Sequence, residues 1–166
     1  MVILSVDGDE ATGWRPGQPT AFADTRANEG SPKFSADGHW LSYTSNASGR
    51  NEIYVAPFPG TSANARQVSN EGGSAPWWSP TRQELVYLTP DRHLMVVPYA
   101  TSGTSFQPDK AHRWSDVPLP TTTFALHPDG ERIAVAPNVD IARPPEKLVV
   151  ITNFFDEIRR LAPPAR

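Results

Sequence analysis

Two short polar segments recur along the chain and contain the side chains best suited to binding a charged ligand. The first is Asn28-Glu29-Gly30-Ser31, and the second, 42 residues further on, is Asn70-Glu71-Gly72-Gly73-Ser74. Carboxylates attract metal cations and amines. Asn and Gly are also common in tight turns, beside which a Glu side chain is simply solvated. Both interpretations stay open, and the turn is the simpler one.

His127 is the histidine best placed for a functional role, because it follows a predicted inner strand. Related segments carry Ser35 and Ser79 at the same place. None of the histidines has the spacing of a metal site. A hydrolase would need a Ser–His pair, and the sequence does not supply the partner. A hydrogen-bonded structural histidine is therefore favoured. The predicted ligand-binding residues are Asn28, Glu29, Asn70, Glu71 and His127, with no catalytic residue and no metal ligand.

The missing motifs, the net charge and the length of the apolar runs argue against several classes of function. There is no nucleophile elbow, no zinc-binding His-Glu-x-x-His motif and no phosphate-binding glycine loop, so no cofactor is expected. The formal net charge of −3 argues against nucleic-acid binding. No apolar run reaches the about 18 residues that cross a bilayer. The first residues do not resemble a signal peptide, so the sequence leaves the compartment unknown.

Three segments of the chain align with one another, and this repeat is the strongest signal in the sequence. They are residues 31–43, 75–87 and 123–135. Phe34, Trp78 and Leu126 occupy the same position, 44 and 48 residues apart. Each segment predicts two strands joined by a tight turn, followed by a third strand, and a weaker outer strand is predicted near residues 66–69 and 112–114 in the first two units. The last unit stops after its third strand, and two further strands are predicted at residues 2–6 and 19–23. Such units of about 40 to 45 residues are typical of propeller blades.

The repeat predicts a single all-β domain with two complete blades and a partial blade at each end. In the second unit Thr81-Arg82 replaces the Asp-Gly turn of the others, which predicts a turn of different length or shape. The predicted divisions are a partial blade over residues 1–24, complete blades over 31–69 and 74–117, a partial blade over 121–152 and a short C-terminal helix over 153–162.

Three strings indicate a resemblance to a known family. They are FSADGHWLSYTSN at residues 34–46, GRNEIYVAPFPG at 49–60 and VVITNFFDEI at 149–158. The first two resemble the TolB-like, WD-repeat-related propeller motif. The whole chain is similar to the C-terminal propeller region of certain bacterial serine/threonine protein kinases, without the kinase motifs. The resemblance implies a scaffold or sensor that binds proteins, often outside the cytoplasm.

The number of blades has consequences for assembly. Rings close with about four to eight blades, and this chain supplies about three blade equivalents. An open half-ring would leave the apolar faces around Phe34 and Trp78 in water. We therefore expect a homodimer that completes a six-bladed ring, with a fragment of a longer ring as the alternative. In such a ring Glu29 and Glu71 would surround the mouth of the central channel.

These expectations lead to one favoured function and two alternatives. The favoured function is a non-enzymatic propeller scaffold or sensor module that binds a protein or a small ligand at the channel mouth. The first alternative is a hydrolase with its site in the propeller channel, so the enzyme question stays open. The second is a structural fragment whose main property is self-assembly.

Overall fold

The computed structural model describes residues 1–136 and shows an all-β protein made of antiparallel sheets. Besides one 3₁₀ turn at Ser62–Asn64, the described residues form fifteen strands. The strands are β1 (Val2–Ile3), β2 (Val6–Asp7), β3 (Arg15–Pro16), β4 (Thr20–Ala21), β5 (Glu29–Phe34), β6 (Trp40–Ser45), β7 (Glu52–Pro57), β8 (Arg66–Gln67), β9 (Ser74–Trp78), β10 (Glu84–Leu88), β11 (Leu94–Ser102), β12 (Ser105–Pro108), β13 (His112–Arg113), β14 (Phe124–Leu126) and β15 (Ile133–Val135). The helix predicted over residues 153–162 and the third strand predicted for the last unit lie outside the described residues.

Two larger sheets form the centre of the molecule. The first has the strand order β5-β6-β7-β8, and every neighbouring pair is antiparallel. The second has β9, β10 and β11 in the same arrangement. Its strand β11 is long enough to pair with β13 near its start and with β12 near its end. The outer strands predicted near residues 66–69 and 112–114 are confirmed as β8 and β13.

Smaller hairpins lie at either end of this central pair of sheets. At the N-terminus β1 pairs with β4, as predicted for two strands there, and β2 pairs with β3 in a hairpin that the sequence did not predict. The tip of that hairpin is closed by Asp9, whose carboxylate accepts hydrogen bonds from the backbone of Ala11 and Thr12. Toward the other end β14 pairs with β15.

Side chains alternate across each central strand, so that both faces of both sheets are covered. Trp40 of β6 and Ile53 of β7 face the second sheet, where Leu85 of β10 and Val97 of β11 meet them in a shared core. All four are buried. Because the side-chain period of a strand is two residues, the intervening residues must point the other way and need a different neighbour.

Those intervening residues pack against the two end hairpins. Leu41 and Tyr43 of β6 contact the N-terminal segment through Phe22 and Ala23. Val86 of the second sheet packs with residues of the β14–β15 hairpin. The described chain is therefore a stack of four layers, in which a hairpin, two sheets and a second hairpin follow one another in sequence order.

The tight turns after β5 and β9 have the same length but different shapes. Each is closed by a hydrogen bond from a serine N–H to the carbonyl five residues later, at Ser35 and at Ser79. In the first turn Gly38 has a positive φ of 71°. The second turn has no such residue, and the Glu84 N–H instead donates to the Arg82 carbonyl. The substitution at Thr81-Arg82 thus changes the shape of the turn without lengthening it.

The apolar residues left in water differ in part from those expected. Trp78 is only 9% exposed because it lies between the two sheets of this same chain, whereas Phe34 is 48% exposed and contacts Phe58. The expectation for Trp78 was therefore wrong. Further exposed apolar side chains lie at the N-terminus, where Val2 and Val6 are 57% and 61% exposed.

Candidate ligand-binding groove

A buried carboxylate organises the connection between the two central sheets. Glu52, the first residue of β7, is 1% exposed. It accepts hydrogen bonds from the Ser69 hydroxyl and from the Gly72 N–H, the latter at 3.0 Å. Ser69 Oγ in turn accepts the N–H of Ile53 at 2.8 Å. A buried charge is costly unless it is paired and hydrogen-bonded, and here the hydrogen-bond donors come from the segment that leads to the second sheet.

Arg50 completes this network from the solvent side. Its Nε donates to Glu52 at 2.6 Å, and its Nη2 donates to the Asn70 carbonyl. The backbone on either side of Glu71 is therefore hydrogen-bonded, at the Asn70 carbonyl by Arg50 and at the Gly72 N–H by Glu52. Glu71 itself is exposed and forms no ion pair or side-chain hydrogen bond within residues 1–136. The connection is thus hydrogen-bonded through Arg50 and Glu52, and the Glu71 side chain is left available to a ligand.

This connection lines a groove with a volume of about 800 Å³. Tyr87 and Met95 of the second sheet and His93, just before β11, also line the groove, as do residues of the segment from Asp109 to Arg113. Clefts of about 300–1,000 Å³ are the usual size for small-molecule sites.

Tyr87 is a buried polar group in the lining of the groove. Burial, reinforced by the negative charges of Glu52 and Glu71, raises its pKa to about 12. The phenol therefore keeps its proton across the physiological range. Because a neutral phenol can both donate and accept a hydrogen bond, it is a polar point in the lining of the groove.

The charged groups of the groove differ in whether they already have partners. Asp91 Oδ2 lies 2.9 Å from His93 Nδ1, and its other oxygen accepts the Thr89 hydroxyl at 2.5 Å. The Thr89 hydroxyl and then His93 lower the pKa of Asp91. Lys110 and Arg113, by contrast, form no ion pair within the described residues. Within the described residues the groove thus combines two carboxylates that form no ion pair, Glu71 and Asp109, with the two cations Lys110 and Arg113.

The structure brings two of the five predicted site residues into this groove, Asn70 and Glu71. Asn28 lies just before β5 and Glu29 is its first residue, and neither lines the groove. The Asn28 N–H donates to Asn46 Oδ1 at 2.8 Å, and the Glu29 carboxylate accepts the Thr25 hydroxyl. Glu29 is half-buried and its carboxylate is hydrogen-bonded to Thr25, so it is not the freely solvated side chain of the simpler interpretation.

His127 lies at the other end of the inner strands, because it follows β14 whereas both of these segments lie at the start of β5 and β9. The ends of β5 and β9 meet where the Trp78 indole donates to the Lys33 carbonyl at 2.9 Å. The turn that follows β9 in turn contacts the His127 turn, through Thr81 Oγ1 and the Asp129 carbonyl at 3.4 Å. His127 is 48% exposed, and its Nδ1 accepts the Asp129 N–H at 3.2 Å. It closes its own turn, as a structural histidine would.

Sequence reasoning missed Glu52 and the groove that it helps to form. One signal was present, an acidic residue at the first position of a strand that is otherwise apolar.

Among residues 1–136 no group of three or more His, Asp or Glu side chains could hold a metal ion. In the same range no helix is long and apolar enough to cross a membrane. No family model and no curated protein matches this chain.

Proposed function

We propose that this protein is a non-enzymatic β-propeller scaffold or sensor module, with two complete blades and a partial blade on each side. The two central sheets would be the complete blades, and the hairpins β1–β4 and β14–β15 would belong to partial ones. In this proposal the module binds a protein or a small ligand through the connections that precede the inner strands.

The observation that carries the proposal is that the two sheets make the same backbone hydrogen bonds at corresponding positions. The bond from Phe58 N–H to the His39 carbonyl corresponds to that from Tyr99 to Gln83. Further pairs are Val68 to Ile53 with Trp114 to Leu94, and Gly73 to Asn51 with Leu119 to Arg92. Matching hydrogen bonds in sheets of the same strand order are what repeated blades require.

The way in which the sheets stack supports the same proposal. Blades of a propeller pack face to face around an axis, and each buries one face on the preceding blade and one on the next. Both central sheets have two covered faces of this kind. The connection held by Glu52 would then be the link from one blade to the next, and Glu29 and Glu71 would lie at the same end of their blades.

We further propose that a second copy of the chain completes a six-bladed ring. The N-terminal segment carries Val2, Leu4 and Val6, each more than half exposed. Val2 lies in β1 and Val6 in β2, and the three occupy every second position of the segment, which is the spacing of one strand face. About three blade equivalents are too few for a closed ring, and twofold pairing is the commonest closed assembly.

Light scattering coupled to size-exclusion chromatography tests this assembly. We expect twice the chain mass of 18.2 kDa for the wild type, and the mass of one chain for the double variant Val2→Ser and Leu4→Ser. The control variant Val117→Ser changes a residue that is 71% exposed elsewhere and should leave the dimer intact. A wild-type protein that stays at 18.2 kDa at high concentration would exclude the homodimer.

A panel of ester, glycoside and peptide substrates tests the non-enzymatic part of the proposal. We expect no turnover above the buffer background for the wild type. Turnover that disappears in His127→Ala would establish the hydrolase alternative instead. Because His127 makes its contact with Asp129 within a surface turn, circular dichroism of the variant must accompany the assay to show that the fold is retained.

A further inference from the structure

The groove between the two central sheets carries unpaired charges of both signs on separate segments. Glu71 lies in the connection that leads into β9, Lys110 lies between β12 and β13, and Arg113 is the last residue of β13. None of the three forms an ion pair within residues 1–136. Charges of opposite sign on two segments that line one cleft suit a ligand that itself carries both charges.

We propose that this groove binds a small zwitterion of amino-acid or dipeptide size, with its ammonium group at Glu71 and its carboxylate at Lys110 and Arg113. The inference rests on the proposed binding function and adds the class of ligand. Arg is well suited to the second role because its planar guanidinium can bind both oxygens of a carboxylate.

The remaining carboxylates of the groove are less available to an ammonium group than Glu71. Asp91 is already paired with His93 and Thr89. Asp109 Oδ1 accepts the N–H of the adjacent Lys110 at 2.7 Å. Glu71 is therefore the acidic side chain with the fewest competing partners, and its backbone neighbours are held in place by Glu52 and Arg50.

The apolar part of the lining favours an organic zwitterion over an inorganic ion. Val68, Met95 and Ala111 are partly buried side chains that pack on the core between the two sheets and also line the groove. A ligand with an aliphatic side chain would cover them and remove apolar surface from water. A volume of about 800 Å³ is large enough for a ligand that carries such side chains.

Isothermal titration calorimetry with the dipeptide Leu-Leu tests this inference. Two blocked forms, N-acetyl-Leu-Leu and Leu-Leu amide, each remove one charge and keep both aliphatic side chains. We expect saturable binding of the free dipeptide and at least about tenfold weaker binding of each blocked form, since one charge-assisted contact is lost. Equal affinity of the three forms, or no saturable binding up to about 10 mM, would overturn the inference.

Single-residue variants assign the two ends of the ligand. Glu71→Gln should weaken the binding of the free dipeptide but leave the affinity for N-acetyl-Leu-Leu unchanged. Arg113→Gln should also weaken the binding of the free dipeptide, but leave the affinity for Leu-Leu amide unchanged. The matched controls Glu10→Gln and Arg26→Gln change exposed residues outside the groove and should have no effect. If both groove variants bind the free dipeptide like the wild type, the assignment of the site is wrong.

The groove is formed within one chain, so its test is independent of assembly. The mass of each sample is measured by light scattering before titration. A dimer that does not bind the dipeptide would refute the ligand class and leave the ring proposal standing. A monomer that binds it with the expected charge dependence would support the groove and refute the ring.

Discussion

Replacing Glu52 with Ala should destabilise the protein far more than its position at the start of a strand indicates. The carboxylate is 1% exposed and accepts hydrogen bonds from two buried groups, the Ser69 hydroxyl and the Gly72 N–H. The variant leaves both donors without this acceptor, and each unsatisfied buried donor costs about 1–3 kcal/mol. Arg50 is 59% exposed, so the loss of its ion pair adds little.

The expected decrease in the free energy of unfolding is about 3 kcal/mol for Glu52→Ala. This value is smaller than twice the upper penalty of about 3 kcal/mol per unsatisfied donor, because the Ser69 hydroxyl can rotate toward another acceptor. Glu52→Gln keeps the shape and one acceptor oxygen, so its decrease should be about 1 kcal/mol. Glu10→Ala removes an exposed carboxylate and should change the stability by less than about 0.5 kcal/mol.

Urea unfolding followed by tryptophan fluorescence measures these values, at one fixed protein concentration because a dimer would make stability depend on concentration. The double variant with Ser69→Ala should show a coupling energy above about 0.5 kcal/mol with Glu52→Ala, since the two side chains are in contact. If Glu52→Ala unfolds at the same urea concentration as Glu10→Ala, the carboxylate does not hold the connection between the sheets.

Three further predictions follow from other parts of the fold. Leu85→Ala removes a fully buried side chain from the core between the two sheets and should lower the free energy of unfolding by about 2–5 kcal/mol in the same urea experiment; a smaller loss would mean that this core is loosely packed. Gly72→Ala should be more destabilising than Gly103→Ala by at least about 1 kcal/mol. Both glycines have a positive φ, but the Cβ at position 72 would lie 2.6 Å from Pro90 Cγ. Equal urea midpoints of the two variants would refute the close approach. Hydrogen bonds from the Ser35 hydroxyl and then from the His39 N–H lower the pKa of Asp37. This carboxylate therefore stabilises the fold above its unfolded pKa of 3.8, and the contribution is lost as the pH falls through the lower folded value. Asp37→Asn should reduce the acid sensitivity measured by circular dichroism, and an unchanged acid transition would contradict this assignment.

The order of the central strands could be predicted from the sequence because their signals are local. The alternation around Trp40 and Leu41 places one side chain on each face of β6, and the structure finds each in a different core. Tight turns were equally readable, since Gly38 has the positive φ that a turn of this kind needs. The hairpin β11–β12 was missed because its turn at Gly103 lies within a long polar stretch without an apolar pattern.

The candidate site could be predicted only in part. Asn70 and Glu71 were chosen for their residue types, and the structure places both in the groove. The segment with Lys110 and Arg113 has no motif that connects it to Glu71 in the sequence. Glu52 was missed because a single acidic residue has the same appearance in a sequence whether it is solvated or buried.

Sequence alone determined which segments of residues 1–136 form most of the larger strands and which residue types occupy their turns, because backbone geometry and side-chain alternation depend on near neighbours in the chain. Only the tertiary structure decided what each strand face packs against and which charges share a cleft. These outcomes depend on contacts between residues far apart in the chain, such as Trp78 with Lys33 and Glu52 with Gly72. Such contacts form when whole sheets stack, and their energies are set by burial that no local pattern records.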